Sequence, residues 1–176
     1  ALLLSVNSTG NVAVGAYAMD ATLTGSNNVG VGINALGVNT IGADNVAVGA
    51  AALDANTTGA ENVAIGANAM GAAISTVNNV AVGSDALLVA TAGDGNVAVG
   101  AFAMNASTTS TTNVAVGLDA LGATTTGSAN VAVGSSAMAA TVSATNSVAV
   151  GKDAMLVATA GDNNVAIGAT AMDAST

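Results

Sequence analysis

Apolar and polar positions along this chain recur with a period of 17 residues. The unit begins as Asn-Val-Ala-Val-Gly at Asn11–Gly15, and its starts fall at residues 11, 28, 45, 62, 79, 96, 113, 130, 147 and 164. Counting from the Asn, position 2 is Val in every copy and position 4 is Val or Ile. Position 3 is Ala except at Gly30, position 5 is Gly, position 8 is Ala, and position 9 is Leu or Met. Positions 12–14 favour Thr, and position 15 is often Gly, as at Gly25 and Gly42. Positions 6, 7, 10, 16 and 17 vary, and every acidic residue falls at 7, 10, 16 or 17.

A fixed short period is the mark of a solenoid, in which each unit stacks on the one before. Seventeen residues are too few for a helix pair and suit two short strands with two turns. Positions 2–4 have strand chemistry, β-branched residues at alternate places closed by Gly. A second strand is expected around positions 9–14. Val12 and Val14 then point to one face and Ala13 to the other. Gly15, Gly32 and Gly49 mark a corner with positive φ or close backbone approach. Stacking in register sets Asn11, Asn28, Asn45 and Asn62 in one row. Such amides either hydrogen-bond along the axis or form turns, since Asn tolerates the left-handed region; both readings stay open here. Ten coils at ~4.8 Å give a rod of roughly 50 Å.

The expected fold class is therefore all-β, a parallel β-roll or solenoid built as one repeat array over residues 1–176. Residues 1–10 hold the end of a coil and the last unit, from 164, is incomplete, so we expect an excerpt of a longer chain. Residues 79–95 nearly return at 147–163, and 103–108 at 171–176, as if a four-coil block had been copied. With the Val ladders at positions 2 and 4 filling the interior, helped by position 9 or 11, the Ala rows at positions 3 and 8 lie outside. Apolar rows of that length exceed what a soluble monomer exposes. The small residues Ala13, Ala47, Ala64, Ala81, Ala98 and Ala115 are thus the expected interface of a closed, self-associated assembly.

Composition narrows the function classes. Hydrophobic residues make up 52% of the chain, aromatics 1% and charged residues 6%. Net charge is −9 with Lys152 as the sole cation. Nucleic acid and anionic membrane surfaces are recognised through Lys and Arg, so neither is an expected partner. Apolar runs are cut by Asn, Asp, Gly or Thr well before the ~18 residues of a membrane helix, and Tyr17 and Phe102 alone cannot form the aromatic girdles of a membrane barrel. No signal peptide is visible. Without His or Cys, nucleophile–base dyads of the Ser-His or Cys-His kind cannot be built. Asp20, Asp54 and Asp173 share position 10, and Asp85, Asp119 and Asp153 share position 7, each at least two coils from the next. They read as solvated surface acids. The expectation is no enzyme, no catalytic residue, no metal and no cofactor.

Four weaker signals are present. Gly-Asp turns at Asp94 and Asp162 lack the calcium-binding nonapeptide or EF-hand spacing, and Gly151-Lys152 lacks the rest of a phosphate loop. Thr occupies position 13 in seven of ten coils, broken by Leu23, Ile74 and Val142; a Thr row on a flat solenoid can bind ice, and β-branched strand residues are the plainer reading. Acceptor sequons at Asn7, Asn56 and Asn105 are those an Asn/Thr-rich chain holds by chance.

The pattern NVAVGxxAMxAxTTGxxN resembles the head repeats of trimeric autotransporter adhesins, the YadA-like head, with its Asn-Ser-Val-Ala-Ile-Gly motif. It is also similar to the longer NTAIGxxAL…NTTGSN arrays of phage tail fibres and other virion proteins of marine origin. The resemblance spans the whole chain and rests on ten motifs in register. It implies a left-handed parallel β-roll, three chains about one axis, and an extracellular fibre on a cell or virion surface that attaches to cells or surfaces. A host receptor or glycan would then be met by regions outside this segment. Within it, the exposed candidates are the variable positions 6, 7 and 10, Tyr17 and Phe102 included, with core or interface the plainer role for both rings. The period here is longer than that of the YadA type. Two other functions stay in view: an ice-binding β-solenoid, and a surface matrix filament without a specific receptor.

Overall fold

The computed structural model describes residues 7–21, 24–91, 93–157 and 161–173. Each unit contributes one three-residue strand: β1 (Val12–Val14), β2 (Val29–Val31), β3 (Val46–Val48), β4 (Val63–Ile65), β5 (Val80–Val82), β6 (Val97–Val99), β7 (Val114–Val116), β8 (Val131–Val133), β9 (Val148–Val150) and β10 (Val165–Ile167). They form one parallel sheet in sequence order. The register is set by the repeat, with Val12 opposite Val29 and Val99 opposite Val116. This is a β-solenoid of 17-residue coils, as the periodicity predicts. Among the described residues no helix is long and apolar enough to cross a membrane.

Among the described residues the expected second strand at positions 9–14 does not form. Positions 7, 9 and 17 of successive coils adopt the left-handed conformation, as at Asn68, Met70 and Asn78. A left-handed residue at position 9 turns the chain where a strand would have to start. Asn and Asp at positions 7 and 17 suit that geometry, which costs most other residues about 1–2 kcal/mol. Leu and Met at position 9 accept the cost because the side chain becomes the largest in the core. Leu53, Met70, Leu87 and Met104 are fully buried, and such burial contributes about 1.5–3 kcal/mol each.

Outside the strands, backbone bonds still run along the axis. Leu53 N–H donates to the Ala69 carbonyl at 3.0 Å, Thr57 N–H to Ile74 at 2.9 Å, and Glu61 N–H to Ala43 at 3.0 Å. Turn segments therefore stack as regularly as strands, which satisfies their polar groups.

The interior is the reverse of the one expected. Ala47, Ala64, Ala81, Ala98 and Ala115, on the position 3 row, have no exposure and join the core with the Ala of position 8 and the Leu or Met of position 9. Ala13 packs against the same core. The Val and Ile of positions 2 and 4 face outward. The physical reason is volume. A coil this thin leaves room beside the large position 9 side chain for a methyl group and not for an isopropyl group. Even Gly30 shows it: a Cβ there would stand 2.9 Å from Met19 Cγ.

Candidate interaction surface

The position 1 residues make an amide ladder inside the rod from Asn11 to Asn130, and the Ser147 hydroxyl continues it. Asn28 N–H donates to Asn11 Oδ1 at 2.8 Å, Asn45 N–H to Asn28 Oδ1 at 2.9 Å, and Asn62 N–H to Asn45 Oδ1 at 3.0 Å. The same side chains donate across the coil to position 15 carbonyls: Asn11 to Gly25, Asn28 to Gly42, Asn45 to Gly59, each at 2.8 Å. Each position 1 Asn from Asn28 to Asn130 thus closes its own coil and ties it to the preceding one. Of the two readings of these residues, the ladder holds; the left-handed turns fall at other positions.

Gly15, Gly32 and Gly49 turn the corner after the strand with φ of 129°, 138° and 136°. A Cβ on Gly15 would stand 2.5 Å from the carbonyl oxygen of Gly32 in the next coil. Both properties expected of this row are present together.

Facing outward are two parallel rows, Val12, Val29, Val46 and onward at position 2, and Val14, Val31, Val48 and onward at position 4. Position 2 is half-buried through the middle of the rod, and at position 4 Ile65 is 41% and Val116 37% exposed. The two rows share one flat sheet face because residues two apart in a strand point the same way. This continuous apolar stripe is the candidate interaction surface, and the Ala row proposed for that role from sequence lies behind it.

The two rings also stand outside. Tyr17 is 64% and Phe102 43% exposed, both at position 7 on the corner after the strand, so neither is a core residue of its own chain.

Polar candidates resolve into axial ties. Asp94 and Asp162, in the two Gly-Asp turns, accept the backbone N–H of Val77 and Thr145 in the preceding coil, each at 2.8 Å. Ser26 and Ser128 do the same for Thr9 and Thr111 at 3.1 Å. Position 16 thus staples neighbouring coils where it holds Ser or Asp, at Ser26, Asp94, Ser128 and Asp162. Sequence reasoning missed these ties, and their signal was the return of Ser and Asp at a position that otherwise varies. Hydrogen bonds from Thr145, side chain first and then backbone, hold the Asp162 carboxyl below the usual range. Burial raises the Asp54 and Asp119 carboxyls. Lys152 pairs with Asp153 at 2.9 Å, and that hydrogen bond and charge raise its pKa. No cluster of three metal-ligating side chains occurs among the described residues.

The hydroxyls of the position 13 row are turned along the axis. Thr40 donates to the Thr57 carbonyl at 2.9 Å, and Thr108 to Thr125 at 3.0 Å. Leu23, Thr159 and Thr176 of that row lie outside the described residues. Of the sequons, Asn56 is fully buried and bonded to Gly59, while Asn7 is exposed and Asn105 half-buried. Compared with protein-family models, with curated proteins and with solved structures, the chain finds no match.

Proposed function

We propose that this chain is a structural segment of a trimeric extracellular fibre, a head or shaft that mediates attachment to cells or surfaces. The observation that carries the reading is the outward pair of Val/Ile rows. At ~4.8 Å per coil and a width of about 10 Å, ten coils present roughly 500 Å² of apolar stripe. That is at the upper end of what monomers leave exposed, and stripes of this kind mark association surfaces. Closed cyclic symmetry covers such a stripe on every chain at once. The likeness of the repeat to trimeric adhesin heads supports three as the number.

The role is mechanical. Axial backbone bonds, the Asn ladder and the position 16 staples make the rod stiff, and the Val/Ile rows seal chain against chain. Reach and display follow from length. Receptor or glycan recognition belongs to regions outside this segment, on a cell or virion surface.

The test is particle mass by light scattering, for the native chain and for Val116→Asp. The native chain should run at three times the chain mass, and Val116→Asp at one, with folded circular dichroism. A folded native chain that stays monomeric at high concentration overturns the reading. In a cell-binding assay the assembled segment alone should not bind, and binding would place recognition within the segment itself.

A further inference from the structure

The corner after the strand, positions 6 and 7, carries four large apolar side chains among small and polar ones. Tyr17 and Ile33 are 64% and 58% exposed; Phe102 and Leu118 are 43% and 53% exposed. They fall as two dyads, each an aromatic at position 7 followed by an aliphatic at position 6 of the next coil, five coils apart. The backbone beneath both dyads is the same. Asn34 N–H donates to the Ala16 carbonyl and Asp119 N–H to the Ala101 carbonyl, each at 3.0 Å. Between the dyads the corner holds Ala50, Ala51, Ala67, Asn68 and Ser84, with one charge at Asp85. Asn68 and Ser84 both donate to that carboxylate, at 3.1 and 2.9 Å.

We infer that this corner pairs two rods of the same chain side by side and antiparallel, about a two-fold axis at Ala67–Asn68. Equal spacing makes the match reciprocal. Tyr17 meets the second copy's Leu118 while Ile33 meets its Phe102, and the exchange repeats on the other side of the axis. An isologous contact of this kind closes on itself. Charge selects the same direction. In parallel register Asp85, Asp119 and Asp153 each face their own copies, and like charges repel. In the antiparallel register Asp85 faces Ala51 and Asp119 faces Tyr17, so no like charges meet. Seven coils at ~4.8 Å along a corner about 10 Å wide bury about 350 Å² on each partner, below a standard stable interface. The pairing is therefore weak for one rod and strengthened where many rods are displayed together. It uses a different surface from the Val/Ile rows and stands whatever number of chains those rows join.

Cysteine crosslinking tests it, because the chain has no cysteine of its own. Ala67 and Ala50 are exposed, so a thiol there leaves the coil intact. Under mild oxidation Ala67→Cys should form a covalent dimer, since its position sits on the axis. Ala50→Cys alone should not, yet it should crosslink when mixed with Ser84→Cys. Phe102→Ser in the Ala67→Cys chain should slow dimer formation about tenfold or more. Equal crosslinking of Ala50→Cys and Ala67→Cys overturns the antiparallel register, and no crosslinking of Ala67→Cys at high concentration overturns the pairing. Particle mass under reducing conditions reads the Val/Ile assembly separately, so the two ideas fail independently.

Discussion

Gly83 lies so close to Gly100 in the next coil that a Cβ on Gly83 would stand 2.5 Å from the Gly100 carbonyl oxygen. Its φ of 138° is also one that L side chains rarely adopt. Sterics and backbone therefore demand the same residue at the same place, once per coil.

Gly83→Ala should destabilise the rod by about 3 kcal/mol or more, adding a strained dihedral to overpacking against backbone that cannot yield. Because a solenoid opens in local units, hydrogen exchange is the suitable measurement. Amides of β5 and β6 should lose protection before those of β2 and β8. Unchanged protection at β5 would show that the coil can shift to admit a methyl group.

Asn79 offers a second test. Its side chain accepts from Asn96 N–H at 2.8 Å and donates to the Gly93 carbonyl at 3.0 Å, in a buried setting. Asn79→Ala strands both partners and should cost about 2–4 kcal/mol. The chain holds its own partial variant at Ser147. There the corresponding bonds lengthen to 3.2 Å from Asn164 N–H and 3.3 Å to the Gly161 carbonyl. Ser147→Asn should raise the melting temperature, and a fall would show that the ninth coil is shaped around the smaller residue.

Neighbouring residues should respond in opposite ways. Ala115 is fully buried and Val116 is 37% exposed. Ala115→Asp places an unpaired charge in the core and should unfold the middle coils, at a cost of about 3–5 kcal/mol. Val116→Asp should leave circular dichroism intact and lower particle mass. Had the Ala row been the outer face, the two outcomes would be exchanged.

Asp54 gives a pH signature. Burial raises its folded pKa above 3.8, so its ionised form is disfavoured in the rod. That penalty is present at neutral pH and is relieved as pH falls through the raised folded pKa. Asp54→Asn should therefore melt higher than the native chain at neutral pH, with the gap closing as acid protonates the native carboxyl. Asp162 has the opposite sign. Its lowered pKa contributes stability that is present above the unfolded value and is lost as pH falls through the folded one. A gap for Asp54→Asn that widens in acid would contradict the burial account.

Much of the fold is legible in the repeat. The strand at Val12–Val14, the glycine corner and the Asn row follow from residue types at fixed spacing, because parallel stacking in register converts sequence period into spatial rows. Position 9 is where that reasoning failed. Leu and Met give no local sign of a left-handed turn, and only burial of Met70 or Leu87 offsets its cost. The position 16 staples were hidden for a related reason: Asp94 in a Gly-Asp turn reads as a loop acid until the preceding coil's Val77 N–H is placed beside it.

The sequence by itself determined the period, the stacking direction and which residues share a row, since these depend only on a repeat laid on itself. It also determined that Val12 and Val14 oppose Ala13, because strand side chains alternate. Which of those faces is the inside was decided by tertiary structure alone. Alternation has no sign of its own. The sign came from the volume left beside the position 9 side chains, which admits the methyl group of Ala98 and turns Val97 and Val99 outward to form the apolar stripe.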